Sequence, residues 1–111
     1  MWPFGRRQDG EEDARRLRTE ALKARMFGQF DVAYKLYKRA LPVYERVGDV
    51  DAQCSVLCGL AETTPRREEI GRHVERIQTL CNEMTDSGER AKALGNLDAL
   101  RQRLNESRAW G

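Results

Sequence analysis

From Glu11 to Leu104 apolar residues recur three or four positions apart, and no segment reads as a strand. A spacing near 3.6 lines up one face of an α-helix, whereas a strand needs a period of two. The chain is therefore confined to helices, and its breakers say where each one stops. Ala14, Leu17, Ala21 and Ala24 make the first stripe. It starts behind Glu11, Glu12 and Asp13, whose charge suits the positive end of a helix dipole, and Gly28 ends it. Asp31 is placed to cap a second helix, whose stripe is Ala33, Leu36 or Tyr37, Ala40 or Leu41, and Tyr44. Pro42 predicts a kink or an end near residue 41, and Gly48-Asp49 closes the segment. A third helix is expected from about Val50 to Glu62, on Cys54, Leu57, Cys58 and Ala61. Thr64-Pro65 reads as a capping hydroxyl followed by proline in the first helical position. The fourth helix then carries Ile70, Val74, Ile77, Cys81 and Met84. Asp86 with Glu89 has the spacing of a capping box, opening a fifth helix on Ala93 or Leu94, Leu97, Leu100 and Leu104. Helices joined by short turns pack antiparallel. The expected fold class is all-α, an antiparallel helix-turn-helix array over residues 11–108, with a flexible N-terminal arm (1–10) and a C-terminal tail (109–111).

Composition narrows the setting. The 111 residues suffice for one domain, and 40% hydrophobic with 34% charged residues is a soluble balance that still allows a core. Every apolar run is far short of the ~20 residues a membrane span needs. The opening MWPFGRR has too short an apolar stretch for a secretory signal, and its basic residues follow that stretch. The expected location is the cytoplasm. Net charge is +2, but residues 1–46 hold 11 Lys/Arg against 7 Asp/Glu, and residues 47–111 hold 9 against 11. That asymmetry is too mild to require nucleic acid, which calls for a basic patch and a high pI. Three cysteines, Cys54, Cys58 and Cys81, are an odd number and argue against a disulfide framework.

Two stretches resemble each other 37 residues apart, GDVDAQCSVLCGLAE (48–62) and TDSGERAKALGNLDA (85–99). Asp49 matches Asp86, Cys54 matches Ala91, Leu57 matches Leu94 and Leu60 matches Leu97. A period of this size marks a helical solenoid. Within FGQFDVAYKLYKRAL (27–41), Gly28, Phe30, Ala33, Tyr37, Ala40 and Leu41 follow Leu17 and Ala21 of the preceding helix. This pattern resembles a tetratricopeptide repeat (TPR), a helix pair welded by small residues at the crossing and large ones in the groove beside it. Two helices ~9 Å apart need a small side chain where they cross. The likeness covers residues 14–47 well, 50–84 less closely and 87–104 in part. Glu20 stands where that family has leucine, Arg66-Arg67 replaces a glycine turn, and Gly71 takes the place of the small alanine. The expected array is about two repeats plus a capping helix.

Such a resemblance implies a protein-interaction adaptor or scaffold rather than an enzyme, with no cofactor. The first helix of each pair lines a concave groove that takes a partner peptide or helix. Turning about 100° from the core stripe selects Arg15, Arg18, Leu22 and Arg25 in the first helix, and Gln53, Val56, Leu60 and Thr63 in the third. In the fifth it selects Arg90, Ala93 and Leu97. A leucine floor with an arginine side suits an acidic segment with apolar anchors. The family's carboxylate clamp needs an asparagine one turn after a basic residue, and Leu22 follows Arg18 instead.

The same residues allow other readings. Cys54, Cys58, Cys81 and His73 are four zinc-capable ligands, but the cysteines fall on core stripes, where small apolar packing accounts for them. His73 is the only histidine, no nucleophile or phosphate-loop motif accompanies it, and its Glu69 neighbour at i−4 is an ordinary helical pair. Arg6, Arg7, Arg15, Arg16, Arg18, Lys23 and Arg25 near Trp2 and Phe4 make nucleic acid an alternative partner. Self-association through the arm or the leucines of the fifth helix is another, giving a homodimer.

Overall fold

The computed structural model describes residues 10–110, so Trp2, Phe4, Arg6 and Arg7 of the expected arm lie outside the described residues. Five α-helices follow one another: α1 (Glu11–Met26), α2 (Phe30–Val47), α3 (Val50–Thr63), α4 (Arg67–Glu83) and α5 (Ser87–Trp110). No strand occurs among the described residues. Each helix packs on the next, α3 also touches α1 and α5, and no Cα of α1 comes within 8 Å of one of α5. Thus α1, α3 and α5 share one side of the molecule, with α2 and α4 behind them.

The turns follow from their residues. Gly28 (φ 79°) and Gly48 (φ 74°) adopt the left-handed conformation that glycine enters without cost. At the first, the N–H of Gly28 bonds the Arg25 carbonyl (3.0 Å) and that of Gln29 the Ala24 carbonyl (2.8 Å). At the second, Gly48 bonds Glu45 (3.3 Å) and Asp49 bonds Tyr44 (3.1 Å). Both are Schellman stops. Asp49 caps α3 by accepting from the Ala52 N–H (3.0 Å), and Asp86 caps α5 by accepting from the Glu89 N–H (2.9 Å).

Four expectations about elements need correction. Asp31 is not a cap, because Gln29 holds that position and Phe30 already begins the helix. Pro42 does not end α2 near residue 41; the helix runs on to Val47. Proline has no N–H for the Lys38 carbonyl, but both residues are exposed, so water can take that place. The fourth helix opens at Arg67, two residues later than Thr64-Pro65 suggests. Thr64 Oγ1 accepts from the Arg66 N–H (3.2 Å) and donates to Glu69 Oε2 (2.7 Å). The last helix continues to Trp110, past the expected boundary at 108.

The core runs along the whole array. Ala14, Ala21, Ala33 and Ala40 are fully buried where α1 crosses α2, and Tyr37 and Tyr44 fill the space towards α3. α3 is the central element, with Ala52, Val56, Leu57, Leu60 and Ala61 all buried. Ile77, Leu80 and Cys81 of α4 and Leu97 and Leu100 of α5 belong to the same buried cluster. The match between the two similar stretches is partial: Cys54 and Leu57 are buried, while Ala91 and Leu94 are exposed. No later helix covers that face of α5 among the described residues. Behind the array Tyr34 of α2 donates to Glu69 of α4 (2.7 Å). Hydrogen bonds from Tyr34 and Thr64 hold the Glu69 carboxyl below its usual range.

Candidate partner-binding groove

Because α1 and α5 stand apart with α3 recessed between them, they enclose an open groove of about 600 Å³. Arg18, Thr19, Leu22 and Arg25 form the α1 wall. Lys92, Ala93, Asn96, Ala99, Leu100 and Arg103 form the α5 wall. The floor is the strip Asp51, Cys54, Ser55, Cys58, Gly59 and Glu62 of α3, with Tyr37 of α2 beneath it. The floor is low because its side chains are small. Gly59 is required there, since a β-carbon on it would lie within 2.7 Å of three atoms of the Tyr37 ring.

The structure brings Arg18, Leu22, Arg25 and Ala93 of the expected face into this groove. Arg15 is exposed one turn before the lining residues. Gln53, Val56, Leu60 and Thr63 do not line it and are buried. Gln53 Nε2 donates to the Tyr44 carbonyl (3.3 Å), and Thr63 Oγ1 to the Gly59 carbonyl (2.8 Å). Neighbours cover most of the circumference of α3, so its open strip lies roughly a third of a turn from the expected face. Leu97 is fully buried in the α5 interface. Arg90 does not line the groove and donates to the Met84 carbonyl.

Asp51, Ser55, Gly59, Glu62, Lys92, Asn96 and Arg103 were not expected here. A signal for the floor exists: Asp51 and Glu62 are the only charged residues of α3, and Ser55 falls on the same side. In a helix so apolar, those positions mark the one strip that meets water.

Charge in the groove is organised at two ends. At one, Arg25 Nη1 donates to Glu62 Oε1 and Arg103 Nη1 donates to the neighbouring Ala61 carbonyl (3.2 Å). At the other, Asp51 and Lys92 line the groove, and the nearby Asp51 carboxylate pushes the Glu89 carboxyl above its usual range. The Arg18 guanidinium lies 5.5 Å over the Tyr44 ring. On the opposite side of the basic helix, Arg16 pairs with Asp13.

Burial pushes the Cys54 and Cys58 thiols up to about 12, so both are protonated at neutral pH and poor nucleophiles. Burial pushes Cys81 up as well, and pulls the His73 imidazole down. Among the described residues no three His, Cys, Asp or Glu side chains converge as a metal site would require. No helix among them is long and apolar enough to cross a membrane. Large apolar side chains are exposed at the α1–α2 turn, where Met26 is 76%, Phe27 83% and Phe30 51% accessible. Comparison with protein-family models, curated proteins and solved structures gave no match.

Proposed function

We propose that the chain is a protein-docking adaptor, TPR-like in plan, whose groove takes an acidic segment of another protein with apolar anchors. The observation that carries this reading is the groove. Its rims hold Arg18, Arg25, Lys92 and Arg103 against Asp51 and Glu62, and Leu22 and Leu100 stand on facing walls. Opposite charge steers such a partner and fixes its register, while leucine-sized anchors supply the apolar contact.

The segment is helical in this reading. Both walls and the floor are α-helices, whose backbone groups are already paired within each helix. An extended peptide would find only side chains such as Asn96, Thr19 and Ser55 to satisfy its own backbone. A helix brings its backbone bonds with it, and the small residues of α3 allow it to approach closely. The cytosol is the proposed setting, and three free cysteines support a reducing compartment.

A photo-crosslinking side chain placed at Ser55, on the floor, should capture the partner, whereas the same group at Lys35 on α2 should not. Arg18→Glu combined with Arg25→Glu should suppress the Ser55 adduct and flatten its salt dependence. Equal capture from both positions, or capture indifferent to the charge reversal, would sink the reading.

A further inference from the structure

We infer that Glu62 occupies the groove's own anion seat, so that an acidic helical partner binds by taking Arg25 away from it. This rests on the docking function proposed above and specifies how the site is regulated from within.

Arg25 comes from α1 and Arg103 from α5, yet both end at the same place on the floor, on the successive residues Glu62 and Ala61. One guanidinium thus meets the Glu62 carboxylate, and the second ends on the backbone carbonyl beside it. Each guanidinium has five N–H donors, suited to gripping both oxygens of a carboxylate at once. Glu62 uses only one of them, through a single Nη1–Oε1 contact, and Arg103 is held by a neutral carbonyl. A better acceptor is therefore accommodated without new cations: a carboxylate reaching both guanidiniums replaces a one-point contact and a neutral one with charge-assisted bonds.

The pair is also exchangeable. The Arg25 and Glu62 side chains keep 29% and 41% of their accessibility, so water can solvate Glu62 once it is released. A half-exposed pair of this kind is weak and readily given up. Glu62 also spans α1 and α3, where the two helices otherwise barely meet. In the empty groove it offsets the repulsion among cations, and it competes with any partner carboxylate for Arg25.

The test titrates the full chain with a fluorescent amphipathic peptide about four turns long, leucines on one face and glutamates on the other, and with its glutamine counterpart. Glu62→Gln should tighten the glutamate peptide about two- to fivefold, the range of one partly exposed ion pair, and leave the glutamine peptide unchanged. Arg25→Gln should weaken the glutamate peptide, and in that background Glu62→Gln should give no gain. Glu45→Gln, on the exposed face of α2, makes the same change in net charge and should have little effect. If Glu62→Gln leaves affinity unchanged or lowers it while the peptide still binds, the inference is overturned and the docking site stands. Equal tightening by Glu45→Gln also overturns it, since only long-range charge would then be at work. No binding of the glutamate peptide at millimolar protein overturns both.

Discussion

At the scale of single residues, the groove depends on one missing methyl group. Gly59 sits in the middle of α3, where glycine costs about 0.5–1 kcal/mol relative to alanine. Its β-carbon would collide with the Tyr37 ring, which is itself buried between helices. Gly95 is also inside a helix, but nothing lies within 4 Å of where its β-carbon would be. The two sites should respond in opposite directions. Gly59→Ala should destabilise by about 1–3 kcal/mol, the usual cost of overpacking. Gly95→Ala should stabilise by about 0.5–1 kcal/mol. Urea unfolding of the two variants checks this, and stabilisation by Gly59→Ala would mean that Tyr37 yields freely and the floor is not fixed by it. The sequence alone does not tell these two glycines apart, nor does it show that Phe30 beside the first turn is half exposed. Glycine has no signature separating contact from open space, and an aromatic beside a turn reads the same whether it is covered or half exposed.

At the scale of elements, the helices were legible because their apolar period is long and uninterrupted, whereas their starts depended on hydrogen bonds a few residues long. Asp86 was legible as a cap because Glu89 follows it at capping-box spacing, whereas Asp49, which caps α3 in the same way, reads in the sequence only as the close of the segment before it. Asp31 misled because the Schellman stop at Gly28 fixes Gln29 as the next residue, and the Ala33 N–H bonds the Gln29 carbonyl (3.0 Å). The site was half legible for a similar reason. A lateral helix such as α1 has one covered face, so its open face follows from its stripe. The central α3 has several covered faces, and only the packing shows which strip remains. The caps give a graded prediction. Asp49→Ala and Asp86→Ala should each cost about 1 kcal/mol in urea unfolding, with Asp31→Ala clearly below both. An Asp31→Ala loss equal to the other two would show that α2 is capped by that side chain after all.

At the scale of the whole molecule, the described residues form an open array, 54 × 34 × 21 Å in extent. Its two end helices do not touch each other. Stability in such an array is close to a sum of neighbour interfaces, so it should be lowest at the ends and highest in the middle. α1 leans mainly on α2, and α5 rests on α4 and α3, while α2, α3 and α4 are each held from both sides. Native-state hydrogen exchange should therefore show the strongest protection in α3 and weaker protection in α1 and α5. Leu97 is fully buried at the last interface, and Leu97→Ala should cost about 2–4 kcal/mol. In an array that loss appears chiefly as faster exchange in α5, with α2 little changed. In a molecule that opens all at once, α2 and α5 would lose protection together, and the array description would fail. The groove walls are these two end helices, which ties stability to binding. A partner resting on both α1 and α5 adds contacts between elements that otherwise have none, and anything that binds only the folded state stabilises it. Its binding should slow exchange in both walls at once, although they are the parts of the chain furthest from each other in sequence.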